Sequence, residues 1–516
     1  MRKVKLRNSL IGAVAIVMTA ALAGPVSAQE SGPDEVNTKK LRDAVSVNGI
    51  LQHERQFQTI ANNNGGTRAS GTSGYDDSVA YVVKKLRKAG YAVKTQEFTF
   101  AFSRELAPAE LSQVSPTPTD YETATYSYSG SGDVSGQIVP TNDLVIPATP
   151  DPSSSSGCEP GDFPAAPDGP AIALVQRGTC TFGTKVDLAV AAGYDAVIIF
   201  NEGNPGRTDL SVGTLGAPKS VPVVGLSYED GAALYAATQA GPVTARAFTS
   251  TESDLNRKTS NVIADSSKGV NDEVVVVGAH LDSVNEGAGI NDNGSGSAAI
   301  LEIAEQMANL NETKKLQRQV RFSFWGAEES GLLGSEHYVA SLNDAERSEI
   351  YANLNFDMLA SPNYVRFVYD GDGSDTPVAG PPGSGAIEKV FTDYFESQGL
   401  ASEPTEFSGR SDYGPFIAVG IPAGGLFSGA EGVKTVNEEA TYGGTAGEPY
   451  DACYHAACDD ITNLNTQALF ELGDAAAHAV LTLGKSKAGL YPDGSRSIPA
   501  PKRTVEGEQK GHTLVK

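Results

Sequence analysis

Five short segments of this 516-residue chain hold residue types that could do metal chemistry together. GAHLDSV carries His280 and Asp282, GINDNGSG carries Asp292, and FWGAEESG carries the adjacent pair Glu328 and Glu329. NLNFDM carries Asp357, and YDACYHAACDD places His455 between Cys453 and Cys458. Each has a plainer reading alone: a polar histidine at a strand end, a residue capping a helix, a solvated acidic loop. The chain has only six histidines, so two of them beside recurrent carboxylates carry weight. Mixed His and carboxylate ligands suit zinc. An aspartate offers separate lone pairs on its two oxygens, so one carboxylate can bridge two cations, as two-metal hydrolytic sites require. Asp282, two residues after His280, can accept the other imidazole N–H and fix the tautomer. The paired glutamates then supply one ligand and one general base. In an exported chain, Cys453 and Cys458 form a disulfide rather than a thiolate zinc site, and the staple holds the loop of His455.

The elements around these segments place them at strand ends. Apolar runs at 274–280, 320–325, 351–357 and 421–427 read as strands, and 295–310, 385–398 and 463–483 as helices. Nearly all-apolar strands separated by helices predict an α/β fold, a mostly parallel mixed sheet sandwiched by helices. Such sheets bind their ligands beyond the carboxyl ends of the strands, where His280 falls. Upstream, residues 39–63 and 73–89 read as amphipathic helices, with Gly90 as a C-cap, and 91–100 as an alternating strand. From residue 106 to about 163 the chain turns rich in Ser, Pro, Thr, Gly and Tyr and reads as irregular. A small strand–helix–strand unit follows and extends to about residue 251.

Arg2, Lys3, Lys5 and Arg7, a 14-residue apolar run and the small residues Val26-Ser27-Ala28 have the anatomy of a secretory signal peptide over residues 1–28. The run is too short for a membrane span. Cleavage removes four positive charges and no negative ones, taking the net charge from −24 to −28. The expected product is secreted, off the membrane, and repelled by nucleic-acid phosphates. Residues 488–516 read as a flexible or processed tail.

The five segments, in this order, resemble the metal-site blocks of the secreted di-zinc aminopeptidases of the bacterial leucine aminopeptidase and aminopeptidase Y type. That resemblance implies a zinc exopeptidase domain over 39–120 and 252–487, interrupted at 121–251 by an insert resembling a protease-associated domain. It implies two zinc ions per chain, one on His280 and Asp357, the other on Glu329 and His455, with Asp292 bridging. Glu328 would be the general base, Asp282 would orient His280, and Tyr454 would hydrogen-bond the developing oxyanion. The block GRSDYGPF implies that Arg410 contacts substrate. A Cys158–Cys180 disulfide would staple the insert. The implied partners are peptides with a free N-terminus and a large apolar first residue, cleaved by a monomer; a calcium requirement stays open. A carboxypeptidase or a glutaminyl-cyclase-like enzyme of the same fold could use these ligands, Arg410 keeping the former open. A non-catalytic peptide-binding protein is the remaining alternative.

Overall fold

Val274 to Val277 form an unbroken apolar run, and a strand of that kind persists only with both faces covered. The computed structural model, which describes residues 36–491, covers both. Val275 and Val277 face the largest hydrophobic core, together with helices Val47–Asn63, Ser73–Ala89, Gly296–Asn309 and Thr466–Lys485. Val274 and Val276 face a second core with Trp325, Tyr338 and Phe416.

Strand β1 (Ala92–Ser115) leads out of the first helices, with the short β2 (Thr119–Tyr121) folded back on it. Four parallel strands follow: β3 (Gly132–Pro140), β4 (Ala171–Gln176), β5 (Ala196–Phe200) and β6 (Val223–Leu226). They have their own two cores, Ile172 and Leu174 on one face, Ala173 and Val175 on the other. Strand β7 (Thr244–Asp265) returns antiparallel to both β1 and β3. Then come β8 (Val270–His280), β9 (Arg318–Trp325), β10 (Ile350–Phe356), β11 (Phe367–Tyr369), β12 (Glu403–Thr405) and β13 (Ala423–Phe427). The strand order is β12-β11-β13-β10-β8-β9-β7-β3-β4-β5-β6. Strands β13, β10, β8 and β9 are parallel, whereas β7 joins β9 and β11 joins β13 antiparallel. This is the expected mixed, mostly parallel sheet between helices.

Three local features differ from the sequence expectation. The helix at 39–63 is two, Lys39–Arg42 and Val47–Asn63, because Ser46 accepts from Gly49 N (3.1 Å) and starts a new helix. The stretch from Leu106 to Ser115, polar enough to read as irregular, belongs to β1. Strand β7 gives it a partner along its length, and register shifts near Phe100, Glu105 and Ala107 absorb the irregularity. Ala488 to Tyr491, assigned to a loose tail, are packed. Leu490 is buried, and Arg318 donates to the carbonyls of Ser486 and Ala488. The segment 1–28, expected to be a signal peptide, and the part of the expected tail from residue 492 onward lie outside the described residues. Among the described residues, no helix is long and apolar enough to cross a membrane.

Candidate metal centre

His280 is the last residue of β8, and the parallel neighbours β9 and β10 end beside it. The chain leaving β9 at Trp325 carries Glu328 and Glu329, and the chain leaving β10 at Phe356 carries Asp357. Asp292 sits in the tight segment Ile290–Ser295 that opens helix Gly296–Asn309. His455 comes from a loop closed by the Cys453–Cys458 disulfide; Cys158 and Cys180 are also bonded. Ala327, Met358 and His455 have φ of 54°, 53° and 54°. Such left-handed conformations cost non-glycine residues about 1–3 kcal/mol and collect where a fold must aim side chains.

These turns bring the side chains together. His280 Nε2 lies 3.1 Å from Asp292 Oδ1 and 3.3 Å from Asp357 Oδ1. His455 Nε2 lies 3.2 Å from Asp292 Oδ2 and 3.1 Å from Glu329 Oε2. The two oxygens of one aspartate thus face two separate His–carboxylate sets, and each set has ligand atoms close enough to share one cation. Glu328 Oε2 stands 3.9 Å from His280 Nε2. Glu329 Oε1 and Asp357 Oδ1 are buried without a hydrogen-bond partner. Buried, unsatisfied carboxylate oxygens are costly, and cations would satisfy them, so the donor set fits metal.

The electrostatics agree. Burial opposes protonation of His280, yet Glu328, Asp357 and hydrogen bonds to Asp282 and Asp292 outweigh it and hold the imidazole well above its usual range. His455 is pushed up to about 11, because Glu329 and Asp292 overcome the cost of its burial. Burial raises the Glu329 carboxyl to about 7, with Asp292 adding to it, and lifts Glu328 well above the carboxylate range. Metal binding displaces protons held in this way.

Around this cluster, Asp282 receives the Glu328 backbone N–H (3.3 Å), and its Oδ1 lies 3.6 Å from His280 Nδ1. The ring of Tyr454 stacks on that of His455 with centroids 3.8 Å apart. Arg410 pairs with Glu431, and the nearby Tyr454 hydroxyl also favours its charge. Sequence reasoning noticed Arg410 but passed over its neighbours. Ser411 Oγ donates to Asp357 Oδ2 (2.5 Å), and the fully buried Asp412, with neither oxygen partnered, is raised to about 8 by burial. Both stand in the quoted GRSDYGPF block, and a polar pair before an apolar helix was the available signal.

The model of peptidase family M28 matches residues 261–480, and that of the PA domain matches residues 134–234. An "Aminopeptidase" of Pseudomonas aeruginosa is 43% identical over 98% of this chain and 98% of its own. The chain belongs to peptidase family M28. This M28 peptidase is also 37% identical to "Leucine aminopeptidase 2" of Trichophyton equinum, over 93% of each chain. Its fold is similar to that of a zinc aminopeptidase from Bacillus subtilis, with a TM-score of 0.59 and 26% identity, covering 86% of this chain and 97% of that one. An aminopeptidase from Aneurinibacillus sp. strain AM-1 shares the fold at a TM-score of 0.62 and 24% identity, over 90% of this chain and all of that one.

Proposed function

We propose that this M28 peptidase is a secreted aminopeptidase that works with two zinc ions and removes large apolar residues from the N-termini of peptides. The observation that carries the reading is Asp292, whose two oxygens lie 3.1 Å from His280 Nε2 and 3.2 Å from His455 Nε2. His280 and Asp357 would hold one zinc, Glu329 and His455 the other, with Asp292 shared between them. Zinc in such a site acidifies water and polarises the scissile carbonyl. Glu328, buried and tied to neither histidine as a close ligand, takes the proton of the attacking water and delivers it to the leaving amine. Asp282 orients the His280 ring and, by accepting the Glu328 N–H, the base as well. Tyr454, stacked on His455, would donate its hydroxyl to the developing oxyanion. The surplus of carboxylates attracts the α-ammonium of a free N-terminus.

Secretion is supported by the N-terminal basic and apolar segment and by two disulfides, which persist in oxidising compartments. We assign residues 39–120 and 252–487 to the peptidase body and 121–251 to the insert, and expect a monomer. The test is a panel of aminoacyl-nitroanilides and their N-acetylated counterparts, with a zinc count on the same protein. Hydrolysis of free-amine substrates alone, abolished by chelation and restored by zinc, is the expected result. Chelator-resistant hydrolysis, or equal cleavage of blocked substrates, overturns it.

A further inference from the structure

Beneath the metal centre lies a charged group that the chemistry above does not use. Arg68 is fully buried, and its guanidinium donates from three nitrogens to three carbonyls: Nε to Ala288 (2.8 Å), Nη2 to Gly289 (2.5 Å) and Nη1 to Leu281. Leu281 follows His280 directly, and Gly289 stands three residues before Asp292. A planar fork on three carbonyls fixes both distance and angle between the segments, which a lysine ammonium cannot do. The Arg68 backbone N–H adds a bond to Ser283 Oγ (2.9 Å), and Phe57 lies under the guanidinium at 5.0 Å.

A second group acts on the same segment from the opposite ligand loop. Asp459, buried and four residues past His455, accepts Asn291 N at Oδ1 (2.8 Å) and Asp292 N at Oδ2 (2.9 Å). Asp459 and Arg68 therefore grip one loop on either side of Gly289 and Asn291, and tie it to the loops of both histidines. Glu54 completes the group. It is wholly buried, neither oxygen has a hydrogen-bond partner, and Oε2 would lie 2.8 Å from a Cβ added at Gly294. Glu54, Asp282, Asp459 and Glu329 all attract the Arg68 charge. Neither Arg68 nor Asp459 is exposed to a substrate.

We propose that Arg68 and Asp459 are positioning residues that hold the carboxylate of Asp292 in register with His280 and His455, so that one aspartate can serve two cations. This rests on the reading of the site as a two-metal centre. Outer partners of this kind typically change metal affinity or activity by about 10–100-fold when removed. The experiment titrates zinc into chelator-stripped wild type, Arg68→Lys and Asp459→Asn against a competing indicator. It also measures kcat and KM at saturating zinc, and Tm with zinc bound. The expected result is a zinc dissociation constant raised about 10–100-fold for at least one site, a kcat reduced over a similar range, and an unchanged KM. Arg68→Lys keeps the charge yet does not rescue affinity, because one ammonium cannot span three carbonyls. Asp459→Asn stands on its own should the Arg68 variant not fold. Variants that bind both zincs as tightly as wild type, with only Tm lowered, overturn the proposal. A wild type that takes up a single zinc overturns instead the two-metal reading beneath it.

Discussion

Arg410 Nη1 lies 2.7 Å from Glu431 Oε1, beside Tyr454. The arginine that left a carboxypeptidase open in the sequence is therefore already engaged by a carboxylate. Both partners are about half exposed, 52% and 53%, so the pair adds little to stability; its effect is on local charge. A C-terminal carboxylate would have to displace Glu431 to be recognised. A tripeptide and its C-terminal amide should accordingly be cleaved with kcat/KM values within about fivefold of each other, the worth of an exposed ion pair. A hundredfold preference for the free acid would mean that Arg410 does receive the carboxylate.

Glu328 and Glu329 are adjacent in sequence but differ in surroundings, since Glu329 Oε2 touches His455 at 3.1 Å while Glu328 reaches no histidine closer than 3.9 Å. Glu328→Gln should lower kcat by roughly 10²–10⁴ and leave the zinc content near wild type, as expected on losing a general base. Glu329→Gln should lose metal before it loses anything else. Metal analysis of both purified variants separates the roles; depletion in Glu328→Gln would reverse them.

Why the residues of the cluster were legible, and their supports were not, follows from the fold. His280 and Asp357 sit at the ends of strands whose apolar runs are unmistakable, and a parallel sheet sends such ends to one edge. The Val274–Val277 run declared both covered faces at once. Asp459 and Glu54 had no comparable signal: the first of two acids after a cysteine and a single acid inside an amphipathic helix look like solvated residues. Their burial depends on loops 160 and more residues away, as in the Asp459–Asn291 contact, and spacing along the chain does not encode such contacts. The same limit hid the second half of β1, whose strand character comes from pairing with β7 rather than from its own pattern.

The two disulfides should divide cleanly by what they protect. Cys453 and Cys458 close a loop of separation 5, worth roughly 2 kcal/mol by chain entropy, whereas Cys158 and Cys180, of separation 22, are worth roughly 3 kcal/mol. His455, held at φ 54° inside the small loop, depends on the first staple for its aim. Cys453→Ser/Cys458→Ser should therefore weaken zinc binding and lower the Tm of the large peptidase body by only about 2–4 °C, since a given free-energy loss moves Tm less in a larger domain. Cys158→Ser/Cys180→Ser should lower the unfolding temperature of the insert and leave zinc affinity alone. Zinc titration and calorimetry on both double variants check this, and a zinc effect from the distant pair would refute the division.

His478 should give the protein an acid-sensitive step that is independent of the metal. It accepts or shares a hydrogen bond with Thr38 Oγ1 (2.9 Å) and stacks on Tyr394 with centroids 4.7 Å apart. Burial, with the nearby Arg42 charge, lowers its imidazole from the model-peptide value of 6.5 to about 4, and Asp474 only partly opposes this. The folded state thus resists a proton that the unfolded chain accepts. Stability from this group is complete above pH 6.5, falls as pH drops toward 4, and levels off below, a loss of roughly 3 kcal/mol at most. His53 does not offset it. Its burial is outweighed by Glu302 and Glu305, which raise it, so its own stabilisation is retained as pH falls below 6.5 and fades only at higher pH. Denaturant unfolding at pH 4.5 and pH 7 isolates this group as the difference between wild type and His478→Gln, because the buried carboxyls of the metal centre, raised to about 7 for Glu329 and about 8 for Asp412, titrate alike in both proteins; on going to pH 4.5 the wild type should lose more stability, or gain less, than the variant. An unchanged pH dependence in the variant would assign the acid sensitivity to other groups.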